Sequence, residues 1–244
     1  MHRFYVDPSR ISSDTAYLTA EDARHALTVL RLRKGQKVEV FAGSLRYAAE
    51  IVSTDREDVL VRLFSLLPST EPSLSVTLFQ GLPKSDKMDL IVQKAAELGV
   101  SRIVPLNMER CIVKSGGSES MKKLERWRRI AREAGKQSGR SFVPEILSPC
   151  SLRELSGLRS MPEINVVPWE EADRFGPLVF HSSYPAVSSL GILIGPEGGI
   201  SQDEVGFLRS MGFIPITLGK RILRTETAGL AAVSAFMSLY GEME

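Results

Sequence analysis

The chain has 244 residues, 43% of them hydrophobic, enough to bury a core in one large domain or in a small and a medium one. A net charge of +2 excludes a uniformly basic nucleic-acid binder, so any such role must rest on local clustering of cations. Two distant cysteines, Cys111 and Cys150, form no CxxC or histidine cluster, which argues against zinc or a disulfide framework and for reduced thiols.

Residues 1 to about 67 consist of short alternating runs, "HRFYV", "AYLT", "KVEVFAG", "LRYAAEIV" and "DVLVRLF", divided by turn signals such as Arg33-Lys34-Gly35. They predict a small β-barrel with one helix over Ala20 to Leu30. "LPSTEPS", Leu67 to Ser73, has two prolines and no periodicity and reads as a linker. The expected domains are therefore 1–70 and 73–244.

Beyond the linker, strands alternate with helices. "LSVTLFQ" leads into "SDKMDLIVQKAAELG", where Met88, Ile91, Val92, Ala95 and Leu98 share one helical face and Gly99 stands at the C-cap. "RIVPL" follows, then a helix from Met121 to about Lys136, the strands "INVVP", "GILIG" and "IPITL", and a last helix from about Glu226 to Tyr240. Ser201 and Glu204 make a capping box, and Gly212 ends the helix that it starts. This order predicts an α/β fold with a mostly parallel sheet and helices on both faces. No apolar run is long enough to span a membrane and "MHRFYVDPSR" is no signal peptide, so a cytoplasmic protein with no membrane partner is expected.

Ligands in open α/β sheets bind beyond the carboxyl ends of the strands, where "LIGPEGG" and "ITLGKRILRTETA" both lie. Taken alone, "GPEGG" is explained by a tight turn with glycines at positive φ. Neither G-x-x-x-x-G-K-[ST] nor G-x-G-x-x-G is present, so a polyphosphate or NAD is disfavoured and a nucleoside-like ligand preferred. Lys220, Arg221 and Arg224 precede a helix N-terminus, itself positive. Lys220 and Arg221 also suit solvated loop positions, whereas Arg224, between Leu223 and the helix start, is expected to point inward. Lys122 to Arg140 holds eight basic residues against two acids, net +6, with Lys122, Lys123, Arg126, Arg129 and Lys136 on the outer face. That imbalance favours nucleic acid over a merely solvated helix, and "RLRK" adds a basic spot on the barrel. His2, His25 and His181 suggest no triad, and His25 is expected to be partly buried.

Four stretches, "KSDKMDLIVQKAAELGVSRIVPL", "ERWRRIAREAGKQSGR", "LIGPEGGIS" and "LGKRILRTETA", resemble in order and spacing the RsmE-type ribosomal RNA uridine-N3 methyltransferases of the SPOUT class. The N-terminal "HRFYV" and "HALTVLRLRKGQKVEVFAG" are similar to that family's PUA-like β-barrel, so the resemblance covers the whole chain. Ile200 stands where an aromatic is usual, and Cys111 where a small hydroxyl residue is commoner. The resemblance implies a SPOUT α/β sheet with a C-terminal trefoil knot, a cytoplasmic homodimer, and 16S rRNA of the small ribosomal subunit as partner. It also implies S-adenosyl-L-methionine as cofactor and no metal. The cofactor would rest on Leu193, Ile194, Gly195, Pro196, Glu197, Gly198 and Gly199 of one loop. The other loop would contribute Leu218, Gly219, Ile222, Leu223, Arg224, Thr225 and Thr227. Methylation of N3 of uracil needs its proton removed and the resulting charge stabilised. Arg224 suits the second task, and Glu197, then Glu226, the first. RNA contacts are expected from Arg3, Arg31, Arg33, Lys34, Lys84, Arg126, Arg129, Arg140 and Arg221. An RNA-binding assembly factor with a degenerate pocket, or a dinucleotide enzyme, are the rival readings; both leave "GPEGG" and "RILRTETA" as mere turns or lack a fingerprint.

Overall fold

A computed structural model of the chain describes residues 1–55, 58–112, 117–172 and 175–243. The chain divides into two compact units, Met1–Glu71 with Gly135–Phe142, and Pro72–Ala134 with Val143–Glu244.

In the first unit the strands are β1 (His2–Tyr5), β2 (Ile11–Ser12), β3 (Thr15–Tyr17), β4 (Lys37–Ala42), β5 (Leu45–Asp55) and β6 (Asp58–Leu67). They form one sheet in the order β1-β4-β5-β6-β3-β2, antiparallel except where β1 pairs with β4. Alternation along these strands sends Phe4, Val38, Val40, Ile51, Val59 and Val61 into a core of their own. The expected helix is α1 (Ala20–Arg24), capped by Thr19, whose hydroxyl accepts from the Asp22 N–H. It widens into a π-helical turn over His25–Val29, closed by the Leu30 N–H on His25 O at 3.0 Å. That turn leaves His25 exposed, where partial burial was expected.

The second unit holds β7 (Ser75–Gly81), α2 (Lys87–Glu97), β8 (Arg102–Asn107), most of α3 (Gly117–Ser138), β9 (Glu145–Ile146), β10 (Cys150–Ser151), β11 (Ile164–Pro168), α4 (Pro177–Ser183), β12 (Ser189–Ile194), α5 (Gln202–Ser210), β13 (Phe213–Ile216) and α6 (Thr225–Leu239). Its sheet runs β10-β8-β7-β12-β11-β13, with β9 also on β8, and its described pairings are all parallel. The central strands are buried on both faces, which is why they read as unbroken apolar runs. Phe79 meets Phe213 edge-on across the sheet, and Phe180 of α4 meets Phe236 of α6. Helix α6, apolar nearly all round, packs on β7 and β12 with α2 and α4 beside it. Gly99 and Gly212 end α2 and α5 at φ +93 and +86.

Candidate active site

Strand β12 ends at Ile194, and the chain turns through Gly195-Pro196-Glu197-Gly198-Gly199 into α5. The turn closes by the Gly199 N–H on Pro196 O at 3.0 Å. Its three glycines are bare for different reasons. Gly199 lies at φ +75, which disfavours a side chain. A Cβ on Gly195 would meet the Ile200 side chain at 2.6 Å, and one on Gly198 would meet the Arg110 Cβ at 2.9 Å. Those two faces are therefore turned to the protein, and of the three glycines only Gly199 takes the positive φ expected of such a turn. Ser201 then caps α5: its hydroxyl accepts from the Glu204 N–H, and the Glu204 carboxylate accepts from the Ser201 N–H.

The second loop, after β13, begins with Thr217 Oγ1 accepting from the Gly219 N–H at 3.1 Å and ends at Arg224, the N-cap of α6. Thr225 ties the two loops together, its hydroxyl donating to Gly195 O at 2.6 Å. Buried Gln80, at the end of β7, donates in turn to Thr225 Oγ1 at 2.9 Å, while its own Oε1 has no hydrogen-bond partner among the described residues.

Between the loops lies a cavity of about 800 Å³. Of the residues expected to hold a cofactor, Ile194, Gly195, Pro196, Glu197, Gly198, Gly199, Leu218, Gly219, Ile222, Leu223, Arg224 and Thr225 line it. Leu193 belongs to the core beneath, and Thr227 is exposed on α6 away from the wall. Arg224 lines the cavity but is exposed rather than directed inward, and its guanidinium forms no hydrogen bond or ion pair with a described residue. Lys220 and Arg221 join it on the wall, also exposed.

The two acids share a cation. Lys87 Nζ donates to Glu197 Oε1 at 2.9 Å and lies 3.2 Å from Glu226 Oε2, which is outside hydrogen-bond geometry and buried. Glu197 also accepts from the Lys84 N–H at 3.1 Å. Burial pushes the Glu197 carboxyl up, but the hydrogen bond from Lys87 and those from backbone N–H groups outweigh it and hold the group below its ordinary value. The hydrogen bond to Glu197 raises Lys87 above its usual value against partial desolvation, with Glu226 adding to the effect.

The cations expected to touch RNA are scattered in state. Arg31, Arg33, Lys34, Lys84, Arg126, Arg129 and Arg221 are exposed, Arg126 pairing with Asp89. Arg3 is committed to Glu39 at 3.2 Å and to the carbonyls of Lys136 and Gln137. Arg140 is a correction: it is 3% exposed and its guanidinium holds Glu71 at 2.8 Å, so it fastens the Gly135–Phe142 segment within its unit instead of meeting solvent. Lys136 likewise turns inward, to Asp22 at 2.7 Å.

Residues 70–237 match the RNA methyltransferase domain family, and residues 18–64 match the PUA domain of RNA methyltransferases. The chain is 34% identical to the ribosomal RNA small subunit methyltransferase E of Bacillus subtilis, over 96% of this chain and 95% of that one. The chain belongs to this methyltransferase family. Its Mycobacterium bovis member is 31% identical over 95% of the chain and 89% of its own length. The structure of the Neisseria gonorrhoeae member bound to S-adenosyl methionine is 34% identical, superposes with a TM-score of 0.87, and is matched over the full length of both chains. A putative methyltransferase of Legionella pneumophila, solved with bound SAM, is 32% identical with a TM-score of 0.84, over 97% of this chain and 96% of that one.

Within this family frame, two parts of the wall escaped the sequence reading. Lys87 is the first residue of α2, where the positive end of the helix disfavours a cation. That mismatch was the available signal that acids must face it. Trp169 and Glu170 line the cavity just past the carboxyl end of β11, where the same strand-end rule points.

Proposed function

We propose that the chain is an S-adenosyl-L-methionine-dependent methyltransferase acting on N3 of a uridine in 16S rRNA, within the small ribosomal subunit, as a cytoplasmic homodimer. The observation that carries this reading is a cavity lined by both strand-end loops, with two carboxylates and four cations, Lys87, Lys220, Arg221 and Arg224, in its wall. The donor set suits this cofactor. Pro168, Trp169, Ile194, Leu218 and Leu223 offer apolar surface for adenine. Backbone groups of the two turns suit the ribose and amino-acid portions, and Glu197 and Glu170 suit positive charge. When bound, the cofactor supplies an electrophilic methyl group.

The chain's own residues must align the uracil, take its N3 proton and hold the charge that develops on the carbonyl oxygens. Arg224, exposed on the cavity wall with its guanidinium unpaired among the described residues, suits the last task because guanidinium stays protonated and donates in a fixed fork. Glu197, on the cavity wall, stays first for the proton, although Lys84 and Lys87 hold it ionised and lower its basicity. Glu226, two residues beyond Arg224, comes second: its Oε2 is buried 3.2 Å from the same Lys87 and it does not line the cavity.

A trefoil knot completes the proposal. It is supported by β12 lying between β7 and β11, and by α6 returning across β7 and β12 after the second loop. Calorimetry with S-adenosylmethionine tests the cofactor. Mass analysis of nucleosides from small-subunit rRNA, before and after reaction, tests the product. Saturable binding and one new methyluridine are expected; methylation at another atom or base overturns the assignment to N3 of uridine.

A further inference from the structure

The loop after β8 carries Glu109 and Arg110, neither of which lines the cavity. Arg110 nevertheless grips the turn that does, and Glu109 grips the α5 cap that follows it. Arg110 Nη1 donates to Gly198 O at 3.0 Å. The Glu109 N–H donates to Glu204 Oε1 at 2.8 Å, and the Ser201 hydroxyl donates to Glu109 Oε2 at 2.7 Å. The capping box of α5 is thus shared: Glu204 caps the helix with one oxygen and holds the loop with the other, while Ser201 accepts from its helix and donates to Glu109. The main chain closes in as well. A Cβ on Gly198 would come within 3.2 Å of Arg110 O, so this glycine is bare because a second backbone runs across it.

We infer that Glu109 and Arg110 form a strap that fixes the 195–199 turn in its ligand-receiving shape, making Arg110 a positioning residue for the cofactor without touching it. The physical case is one of freedom removed. Among the described residues the turn has one internal backbone hydrogen bond, Gly199 N–H to Pro196 O, and glycine is its most mobile residue type. A turn that must be ordered as ligand binds lowers affinity by the cost of ordering, and a turn already held avoids that cost. Three hydrogen bonds to a neighbouring loop, each to or from a charged group, supply the restraint.

The inference rests on the proposed cofactor, and its test keeps the two separable. Hydrogen exchange of the Gly199 amide in the free protein reads the strap alone. Arg110→Ala should speed that exchange several-fold, and Arg110→Lys, which keeps a donor, should recover part of the protection. Calorimetry with S-adenosylmethionine and methyl transfer to small-subunit rRNA then read the consequence. Arg110→Ala should raise the cofactor Kd about tenfold, as for loss of one charge-assisted hydrogen bond. The transfer rate at saturating cofactor should stay within about twofold of the parent, since no reacting atom loses a partner. Unchanged exchange and unchanged Kd overturn the strap while leaving the cofactor reading intact. Faster exchange in a protein whose parent does not bind S-adenosylmethionine upholds the strap as a restraint and overturns the cofactor reading. A fall in saturated rate with an unchanged Kd overturns the positioning role and moves Arg110 into the chemistry.

Discussion

Arg224 and Lys87 face the same cavity with opposite commitments, one with its guanidinium unpaired among the described residues and one shared by two acids. If Arg224 holds the charge developing on uracil, Arg224→Ala should lower the saturated methylation rate about 10²-fold or more, with rRNA affinity little changed. Single-turnover transfer beside filter binding measures both. Lys87 gives a pH signature. Glu197 is held low, so the stabilisation from the pair is complete above the usual carboxylate range and is lost as pH falls through its depressed value. Lys87 is held high, so the same stabilisation persists until pH rises beyond the usual lysine range. Lys87→Met should therefore lower the melting temperature by a similar amount between about pH 6 and 9, and the gap should narrow below about pH 4. A gap that widens in acid would show that other groups dominate. Gly198 and Gly199 should also separate: valine at 198 collides with the Arg110 backbone, whereas valine at 199 is resisted by φ +75 with nothing nearer than 3.7 Å. Arg110→Ala should therefore not relieve Gly199→Val.

At the scale of elements, α3 shows what sequence pattern conveys and what it hides. Its expected core face, Leu124, Trp127, Ile130, Ala131 and Ala134, was legible because helical period depends only on spacing, and all of it but the half-buried Ile130 is buried. The fate of its cations was not, because partners lie far along the chain. Lys136 finds Asp22, Arg140 finds Glu71, and Arg126 finds Asp89. The +6 of the sequence is thus partly answered by acids that no local window contains. Two predictions follow from the partition. Asp22 is 4% exposed and Lys136 partly buried, so Asp22→Ala, which removes the carboxylate Lys136 reaches at 2.7 Å, should cost about 2 kcal/mol in denaturant unfolding. Arg126→Ala with Arg129→Ala, both exposed, should leave stability and saturated turnover near parental values. The salt slope of rRNA binding should become shallower by about one unit, since Asp89 already offsets Arg126. The cavity divides in the same way. Its two loops were legible as strand ends rich in glycine and cations, while the Glu109–Arg110 loop was not, because nothing local reveals which backbone crosses Gly198.

At the scale of the molecule the exposed apolar groups bear on assembly. In the second unit Leu178 and Val179 of α4 are 67% and 47% exposed, and Ile222 on the cavity loop is 85% exposed. Helix α6, packed against α4, is apolar over most of its length and leaves Ala231 outward and Leu230 only half-covered. Single exposed apolar residues are ordinary, but a helix that is hydrophobic on nearly all sides is normally buried on nearly all sides. A second copy meeting this face by two-fold symmetry would bury it with the same residues on both partners. Sedimentation at micromolar concentration should therefore give twice the 26.9 kDa of one chain. Ala231→Glu, which puts two like charges near such an axis without disturbing the buried side of α6, should shift the protein towards single chains and weaken cofactor binding with it. A parent that sediments as one chain with full methyl transfer overturns the dimer, and an Ala231→Glu variant that remains dimeric places the contact on another face.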